Sequence, residues 1–154
     1  WKLAASQLPD WSLDIVGDGP EKQRLTKLAQ SLPQVHFHGW IRDRDELDAI
    51  YQDARFSVLT SKYEGFPVTL LEALSRGLPG IATDCSSALQ LLNQNHPVIR
   101  ITETDSPECI ASNLTAAAAN LPEGDSLGQL AQQVAREYDW PIIGQQWDRI
   151  LTQS

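Results

Sequence analysis

The chain has 154 residues, of which 42% are hydrophobic and 21% are charged, a composition typical of a globular domain and not of a disordered chain. Its formal net charge of −8 argues against a general nucleic-acid-binding protein. No apolar run approaches the roughly 20 residues that cross a bilayer, so we expect no transmembrane helix. No secretory signal pattern is evident.

Short apolar strands are predicted to alternate with amphipathic helices along most of the chain. The predicted strands are 13–16, 35–38, 55–59, 80–83 and 97–101. The predicted helices between and after them are 20–32, 43–52, 67–76, 86–93, 107–121 and 127–138, with a turn at 122–125. A last helix is predicted after Trp140-Pro141, with Ile143, Trp147, Ile150 and Leu151 facing inward. We interpret Trp140 and Trp147 as core residues and not as a sugar platform.

The beginning of the chain indicates a piece of a longer protein. The sequence contains no methionine, and Trp1, Ala4 and Leu8 would share one face of a helix already under way. We therefore expect 1–154 to be a single domain of a longer, two-domain protein.

Strands of four to six residues that alternate with helices of ten or more predict βαβ units and a parallel sheet. The fold class is therefore α/β, a Rossmann-like doubly wound parallel sheet with a helical C-terminal tail. Ligands of such sheets bind outside the carboxyl ends of the strands. Four loops meet that edge in the prediction, at 17–20, 39–41, 60–66 and 84–87.

The third of these loops is the most informative. It places Gly65-Phe66 directly before Pro67 at a helix start, where unpaired N–H groups and the helix dipole favour an anion such as a diphosphate. Glu64 would repel phosphate, so we expect it to accept hydrogen bonds from neighbouring hydroxyl groups. Glu72 lies away from the apolar stripe of the helix and points either to the crevice or to water.

Four sequence blocks in this order match a known family. They are IVGDGPE at 15–21, VHFHG at 35–39, EGFPVTLLEA at 64–73, and GLP at 77–79 with ATD at 82–84. Together they resemble the C-terminal half of the retaining GT-B glycosyltransferases of family 4, also called glycosyl transferases group 1. The most specific feature is the E-x7-E motif from Glu64 to Glu72.

The resemblance implies a donor-binding domain that takes a UDP- or GDP-sugar and transfers the sugar with retained configuration, in glycan or glycolipid biosynthesis. It implies that Glu64 has a catalytic role beside the donor sugar and that Glu72 binds the ribose hydroxyls. The other donor-binding positions that it implies are Gly17, Gly19, Ile41, Gly65, Phe66 and Pro67.

The resemblance also implies what lies outside these residues. The Arg and Lys that hold the diphosphate would precede Trp1, and a missing N-terminal domain would bind the glycan or lipid acceptor. The isolated domain would then be inactive. No metal and no cofactor is expected. The implied location is cytoplasmic, with peripheral association at the inner membrane face through the missing domain.

One departure from the family pattern leaves alternatives open. The family follows the position of Asp84 with Gly-Gly and then Glu, whereas this chain has Cys85-Ser86-Ser87. That loop is either looser around the ligand or specialised. The rival interpretations are a non-catalytic sugar-nucleotide-binding domain and a GT-B-like sugar-nucleotide epimerase.

Several other residues allow two interpretations. His36 and His38 share a strand face, as packed or surface residues or as metal ligands that lack a third partner. The acids of Asp43-Arg44-Asp45 suit a helix start or the metal-binding DxD of another glycosyltransferase fold. Cys85 is a small filler or a reactive thiol. Lys62 and Arg42 either assist phosphate binding or are simply exposed.

Overall fold

A computed structural model describes residues 1–32, 34–121 and 126–152. The strands in these residues are β1 (Leu13–Val16), β2 (Val35–Gly39), β3 (Ser57–Leu59), β4 (Gly80–Thr83) and β5 (Ile99–Thr102). The α-helices in the same ranges are α1 (Lys22–Ala29), α2 (Arg44–Asp53), α3 (Val68–Ser75), α4 (Ala88–Leu92), α5 (Pro107–Ala119), α6 (Ser126–Arg136) and α7 (Trp140–Thr152). One 3₁₀ turn covers Ala5–Gln7.

The chain divides into two compact units, which are described separately. The first unit is Trp1–Asp53 with Pro107–Asn120, and the second is Ala54–Ser106 with Leu121–Ser154. In the first unit, β1 and β2 form a parallel pair with a register irregularity before Val16. The core of this unit contains the buried residues Ala4, Leu8 and Ala111 with Trp1, Trp11, Leu114 and Ala118 packed against them.

The second unit is built on a three-stranded parallel sheet of order β3-β4-β5. The central strand β4 is buried at every position, as expected for a parallel strand that is covered on both faces. Helix α3 packs on this sheet through Leu70 and Leu74, which are almost fully buried. The rest of the core comes from α4, β5 and α6, through Leu89, Leu92, Val98, Ile99, Ala131, Val134 and Ala135.

Two side-chain contacts show how tightly the second unit is assembled. A Cβ atom on Gly80 would lie 2.6 Å from Cδ1 of Leu70, so a larger residue here would require the Leu70 side chain or α3 to shift. The amide side chain of Asn93, just after α4, donates to the carbonyl of Ile99 at 2.7 Å and accepts from its N–H at 2.9 Å. Asn93 therefore acts as a substitute strand partner at the start of β5.

The predicted alternation of strands and helices is confirmed, and the structure is α/β with parallel sheets and a helical C-terminal tail. The predicted fold class is confirmed, and among the described residues the strands pair as β1-β2 and as β3-β4-β5. The alternation predicts parallel crossovers, but it does not determine which strands become neighbours. The single domain expected over 1–154 stays a prediction, as does the longer two-domain protein.

One predicted element and one predicted packing arrangement are wrong. Ala4 and Leu8 are buried as expected, but this segment forms a 3₁₀ turn and not an α-helix, since Pro9 stops it within one turn. In α7 Ile143 is half-buried, but Trp140 is 85% exposed and Trp147 is 59% exposed. Ile150 and Leu151 are also exposed. The apolar spacing identified the helix but not which of its faces would be covered.

The predicted turn at 122–125 lies outside the described residues. Across the residues that are described, no helix combines the length and the apolar character needed to span a membrane.

Candidate functional site

The loop between β3 and α3 carries Glu64 and is joined to the loop that follows β4. The backbone N–H of Glu64 donates to the carbonyl of Cys85 at 2.9 Å. The hydroxyl of Ser86 donates to the carbonyl of Gly65 at 3.2 Å. The structure therefore brings together two of the four loops that the sequence places at the carboxyl edge of the sheet. The second unit contains both of them.

The carboxylate of Glu64 has a partner inside its own loop. The hydroxyl of Ser61 donates to Oε1 of Glu64 at 2.7 Å, and both groups are partly buried. The backbone carbonyl of Ser61 in turn accepts a hydrogen bond from the hydroxyl of Thr83, a buried residue at the end of β4. This chain of contacts fixes the carboxylate in one orientation, as an acceptor that suits hydroxyl-bearing ligands.

The start of α3 has the features of a place that a ligand approaches closely. Pro67 is buried at the N-cap position, and its side chain offers no hydrogen bond to the helix. A Cβ atom on Gly65 would meet nothing within 4 Å, so the space beside this backbone is open. The expectation of unpaired N–H groups here is wrong for Val68 and Leu70, whose N–H groups donate to the carbonyls of Phe66 at 2.9 Å and Pro67 at 3.1 Å. The dipole of the helix still attracts negative charge to this end.

The side chain of Phe66 packs against Tyr138, which follows α6. The two ring centroids are 5.8 Å apart, with the planes tilted by 47°. Burial raises the pKa of the Tyr138 hydroxyl, with a smaller contribution from the charge of Glu137. The ring contact holds one side of Phe66, which remains 38% exposed, and the carbonyl of Phe66 accepts from the N–H of Val68 at 2.9 Å.

Glu72 lies on α3, on the face opposite the core. It is exposed, whereas Leu70 and Leu74 are buried, and this confirms that it points away from the apolar stripe. Its backbone carbonyl accepts a hydrogen bond from Nη1 of Arg76 at 3.1 Å. The ribose-binding role of Glu72 stays a prediction.

Lys62 forms an ion pair across the carboxyl edge of the three-stranded sheet. Its Nζ lies 2.9 Å from Oδ1 of Asp105, which follows β5. Asp105 adopts a left-handed backbone conformation with φ of 58°. Both side chains are exposed, so the pair contributes little stability, but it ties the Glu64 loop to the loop after β5. No feature of the sequence predicts this pairing.

In the first unit, the loop after β1 is shaped by glycine and by Asp18. Gly17 has φ of +119°, a conformation that side chains rarely adopt, and its N–H donates to the carbonyl of Gly39 at 2.7 Å. Asp18 accepts from the N–H of Gly19 at 2.8 Å and pairs with Lys22 at 2.9 Å. The Lys22 ammonium first, and the Gly19 N–H second, lower the pKa of Asp18.

The donor-binding roles predicted for Gly17, Gly19 and Ile41 stay predictions. A Cβ atom on Gly17 or Gly19 would meet nothing within 4 Å, so their backbone is approachable, and Ile41 is half-buried. These three residues belong to the first unit, whereas Glu64, Gly65, Phe66, Pro67 and Glu72 belong to the second.

His36 and His38 converge on a partner that sequence reasoning missed. Nε2 of His38 lies 2.7 Å from Oδ1 of Asp14, and Nδ1 of His36 lies 3.4 Å from the same oxygen. Partial burial is the largest single influence and raises the pKa of Asp14, but the hydrogen bonds from His38 and His36 outweigh it and hold the pKa below its usual value. Asp14 and His36 are partners in the β1–β2 register, and this places the carboxylate beside both histidines.

In the described part of the chain, no group of three or more His, Cys, Asp or Glu side chains could hold a metal ion. Oδ1 of Asp43 accepts from the N–H of Asp45 at 2.9 Å, as an acid at a helix start does. Cys85 is buried among core residues, which favours its interpretation as a small filler.

Comparison with known proteins adds to this geometry. The family model described as Glycosyl transferases group 1 matches residues 1–120. The chain belongs to this family of glycosyltransferases.

Curated relatives of the family align along nearly the whole chain. An uncharacterised glycosyltransferase of Haemophilus influenzae is 26% identical over 151 residues, which are 98% of this chain and 43% of the relative. The amylovoran biosynthesis glycosyltransferase AmsD of Erwinia amylovora is 28% identical over 152 residues, 98% of this chain and 42% of the relative. The chain thus spans less than half the length of these relatives.

Solved structures support the fold. A sucrose-phosphate synthase from Thermosynechococcus elongatus superposes with a TM-score of 0.78 at 24% identity, over 99% of this chain and 42% of that one. HepE of Anabaena, solved in complex with UDP, superposes with a TM-score of 0.77 at 21% identity, over 99% of this chain and 45% of that one. The fold is that of GT-B glycosyltransferases.

Proposed function

We propose that this chain is the C-terminal, donor-binding domain of a retaining family 4 glycosyltransferase. Its donor is a UDP- or GDP-sugar, and its acceptor is a glycan or a lipid that an N-terminal domain binds. The observation that carries the proposal is the fixed carboxylate of Glu64 at the N-terminal end of α3. Membership of the glycosyl transferases group 1 supports it.

In this proposal each group performs a task that its chemistry suits. Glu64 accepts hydrogen bonds from the hydroxyls of the donor sugar. The backbone of Gly65, Phe66 and Pro67, at the positive end of the α3 dipole, lies beside the sugar and the diphosphate. Glu72 accepts from the ribose hydroxyls. Positive groups stabilise the negative charge that develops on the departing diphosphate.

The choice of first probe comes from the relatives. HepE was solved in complex with UDP, and a lipopolysaccharide 1,6-galactosyltransferase of Escherichia coli is 38% identical over 84 residues, which are 51% of this chain and 23% of that protein. We therefore propose UDP before GDP, and glycan or lipopolysaccharide biosynthesis as the pathway class. The proposed location is cytoplasmic, with membrane association through the N-terminal domain and no metal requirement.

Ligand-observed NMR on this chain tests the proposal. The panel contains UDP, GDP, ADP and their glucose, mannose and N-acetylglucosamine conjugates. We expect one base to give a response that Glu72→Ala weakens, while the alanine variant of Glu46, an exposed acid on α2, leaves the response unchanged. Equal responses of the wild type and Glu72→Ala would contradict the assignment of Glu72.

A longer chain that includes the N-terminal domain separates binding from catalysis. It should transfer sugar from the selected donor, and Glu64→Gln should reduce this transfer with little change in nucleotide affinity. Donor binding without any transfer or donor hydrolysis would identify a non-catalytic sugar-nucleotide-binding domain instead.

A further inference from the structure

Ser86 occupies a position where the family pattern has glycine, and its hydroxyl makes two hydrogen bonds. It donates to the carbonyl of Gly65 at 3.2 Å and accepts from the N–H of Ala88 at 3.2 Å, at the start of α4. A serine hydroxyl has one proton to give and lone pairs to accept, so both bonds form together. A glycine at 86 would form neither.

The contact with Gly65 falls beside a second bond between the same two loops. The N–H of Glu64 donates to the carbonyl of Cys85 at 2.9 Å, so consecutive residues of one loop are bonded to consecutive residues of the other. One hydrogen bond leaves a loop free to rotate about it, whereas two adjacent bonds fix its orientation. Gly65 has the greatest backbone freedom in this loop and open space beside it, so it benefits most from the second bond.

We propose that Ser86 is a positioning residue that latches the Glu64 loop through the carbonyl of Gly65. The latch orients the peptide that leads into α3 and, with the contact from Ser61, holds the carboxylate of Glu64 in place. The departure from Gly-Gly is therefore a specialisation that closes the loop, not a loss of the site. The latch itself depends only on the observed hydrogen bonds. Its effect on donor binding rests on the proposed function.

A simpler role for Ser86 is to cap α4 through Ala88, and three variants separate the two roles. Ser86→Thr keeps a hydroxyl that can both donate and accept. Ser86→Asp keeps an acceptor for the Ala88 N–H but has no proton to donate to Gly65 at neutral pH. Ser86→Ala loses both bonds.

Amide hydrogen exchange, measured by NMR on the chain without nucleotide, is the first readout. We expect the Glu64 amide to exchange about fivefold faster in both Ser86→Ala and Ser86→Asp, and at the wild-type rate in Ser86→Thr. The amide of Ala82, in the buried strand β4, should be unchanged and thereby report an intact fold. If the Glu64 amide exchanges at the wild-type rate in Ser86→Asp, the latch is contradicted, and capping of α4 is the only role left for Ser86.

Affinity for UDP-glucose and UDP, by NMR titration, is the second readout. Ser86→Ala should bind UDP-glucose about fivefold more weakly than the wild type, and Ser86→Thr should restore the affinity. Unchanged affinity in Ser86→Ala with faster Glu64 exchange would overturn the positioning role. If the wild type binds no member of the nucleotide panel, the proposed function fails, but the exchange of Glu64 still decides whether the latch exists.

Discussion

The hydroxyl of Ser61 donates a 2.7 Å hydrogen bond to Oε1 of Glu64, three residues later in the same loop. Ser61 is itself held, because its carbonyl accepts from the hydroxyl of Thr83 at the end of β4. Two hydrogen bonds, from Thr83 to Ser61 and from Ser61 to Glu64, therefore connect the buried strand to the Glu64 carboxylate and orient it. This is the arrangement that a group needs when it must meet a ligand without first being ordered.

Ser61→Ala should weaken the binding of a sugar nucleotide more than that of the free nucleotide. The variant removes the group that orients the Glu64 carboxylate, which is proposed to contact the sugar. We expect a loss of about 1 kcal/mol, or about fivefold in affinity, for UDP-glucose, and little change for UDP. Parallel NMR titrations measure both. An equal loss for the two ligands would show that Ser61 acts on the nucleotide or on the fold.

Gly80→Ala should destabilise the chain by about 1–3 kcal/mol, because the new methyl group would lie 2.6 Å from Leu70 and would require the Leu70 side chain or α3 to shift. The matched control is Gly144→Ala in α7, where a Cβ atom meets nothing within 4 Å. That variant should be more stable than the wild type by about 0.5–1 kcal/mol. Urea unfolding of the three proteins gives the comparison. Equal stabilities would contradict the packing of α3 on the sheet.

Trp147→Ala should cost less than about 1 kcal/mol of folding free energy, although it deletes a large aromatic side chain. The reason is that Trp147 is 59% exposed on α7. Leu89→Ala, at a fully buried core position, should cost about 2–5 kcal/mol. Thermal unfolding measured by circular dichroism ranks the two. A Trp147→Ala penalty as large as that of Leu89→Ala would restore the inward packing that the sequence predicted.

The contacts of Asp14 with His38 and His36 predict a stability change at acid pH. Because the folded pKa of Asp14 lies below the usual 3.8, ionised Asp14 stabilises the folded chain, and this contribution is present above pH 3.8. It is lost as the pH falls from 3.8 through the folded value. The Asp14 side chain is 35% exposed, so solvent screening limits the effect to about 0.5 kcal/mol.

Urea unfolding at pH 6.5 and at successively lower pH tests this contribution. Asp14→Asn should be less stable than the wild type at pH 6.5, and the difference should shrink as the pH falls below 3.8. His38→Gln, which removes the partner at 2.7 Å, should reproduce much of the loss. A difference that stays constant with pH would contradict the ionic origin of the stabilisation.

Much of the fold could be predicted from the sequence, because strand and helix periods are local properties. The strand at 13–16 and the strand at 80–83 have the predicted bounds. The outward face of α7 could not be predicted, since apolar spacing identifies a stripe but not what covers it. The division into two sheets depends on which strands pair, and this is a property of the folded chain.

The candidate site likewise contains residues that the sequence predicts and residues that it does not. Glu64 and Glu72 could be found because their spacing is part of a sequence motif. Ser61 could not, because its hydrogen bond to Glu64 depends on the conformation of the loop that contains both. Ser86 and Asp105 could not, because their partners lie in loops that are distant in sequence. Cys85-Ser86-Ser87 was recognised as a departure from the family pattern, but only the structure shows the bond from Ser86 to Gly65.

The most direct test of the central claim compares UDP with 2′-deoxy-UDP on the wild type and on Glu72→Ala, by NMR titration. If Glu72 accepts from the ribose hydroxyls, the wild type should prefer UDP by about tenfold. Glu72→Ala should bind the two ligands equally, at about the affinity of the wild type for 2′-deoxy-UDP. A preference for UDP that survives in Glu72→Ala would contradict the ribose-binding role of Glu72. A wild type that binds neither of these ligands, nor GDP and 2′-deoxy-GDP, would contradict the proposed donor-binding function.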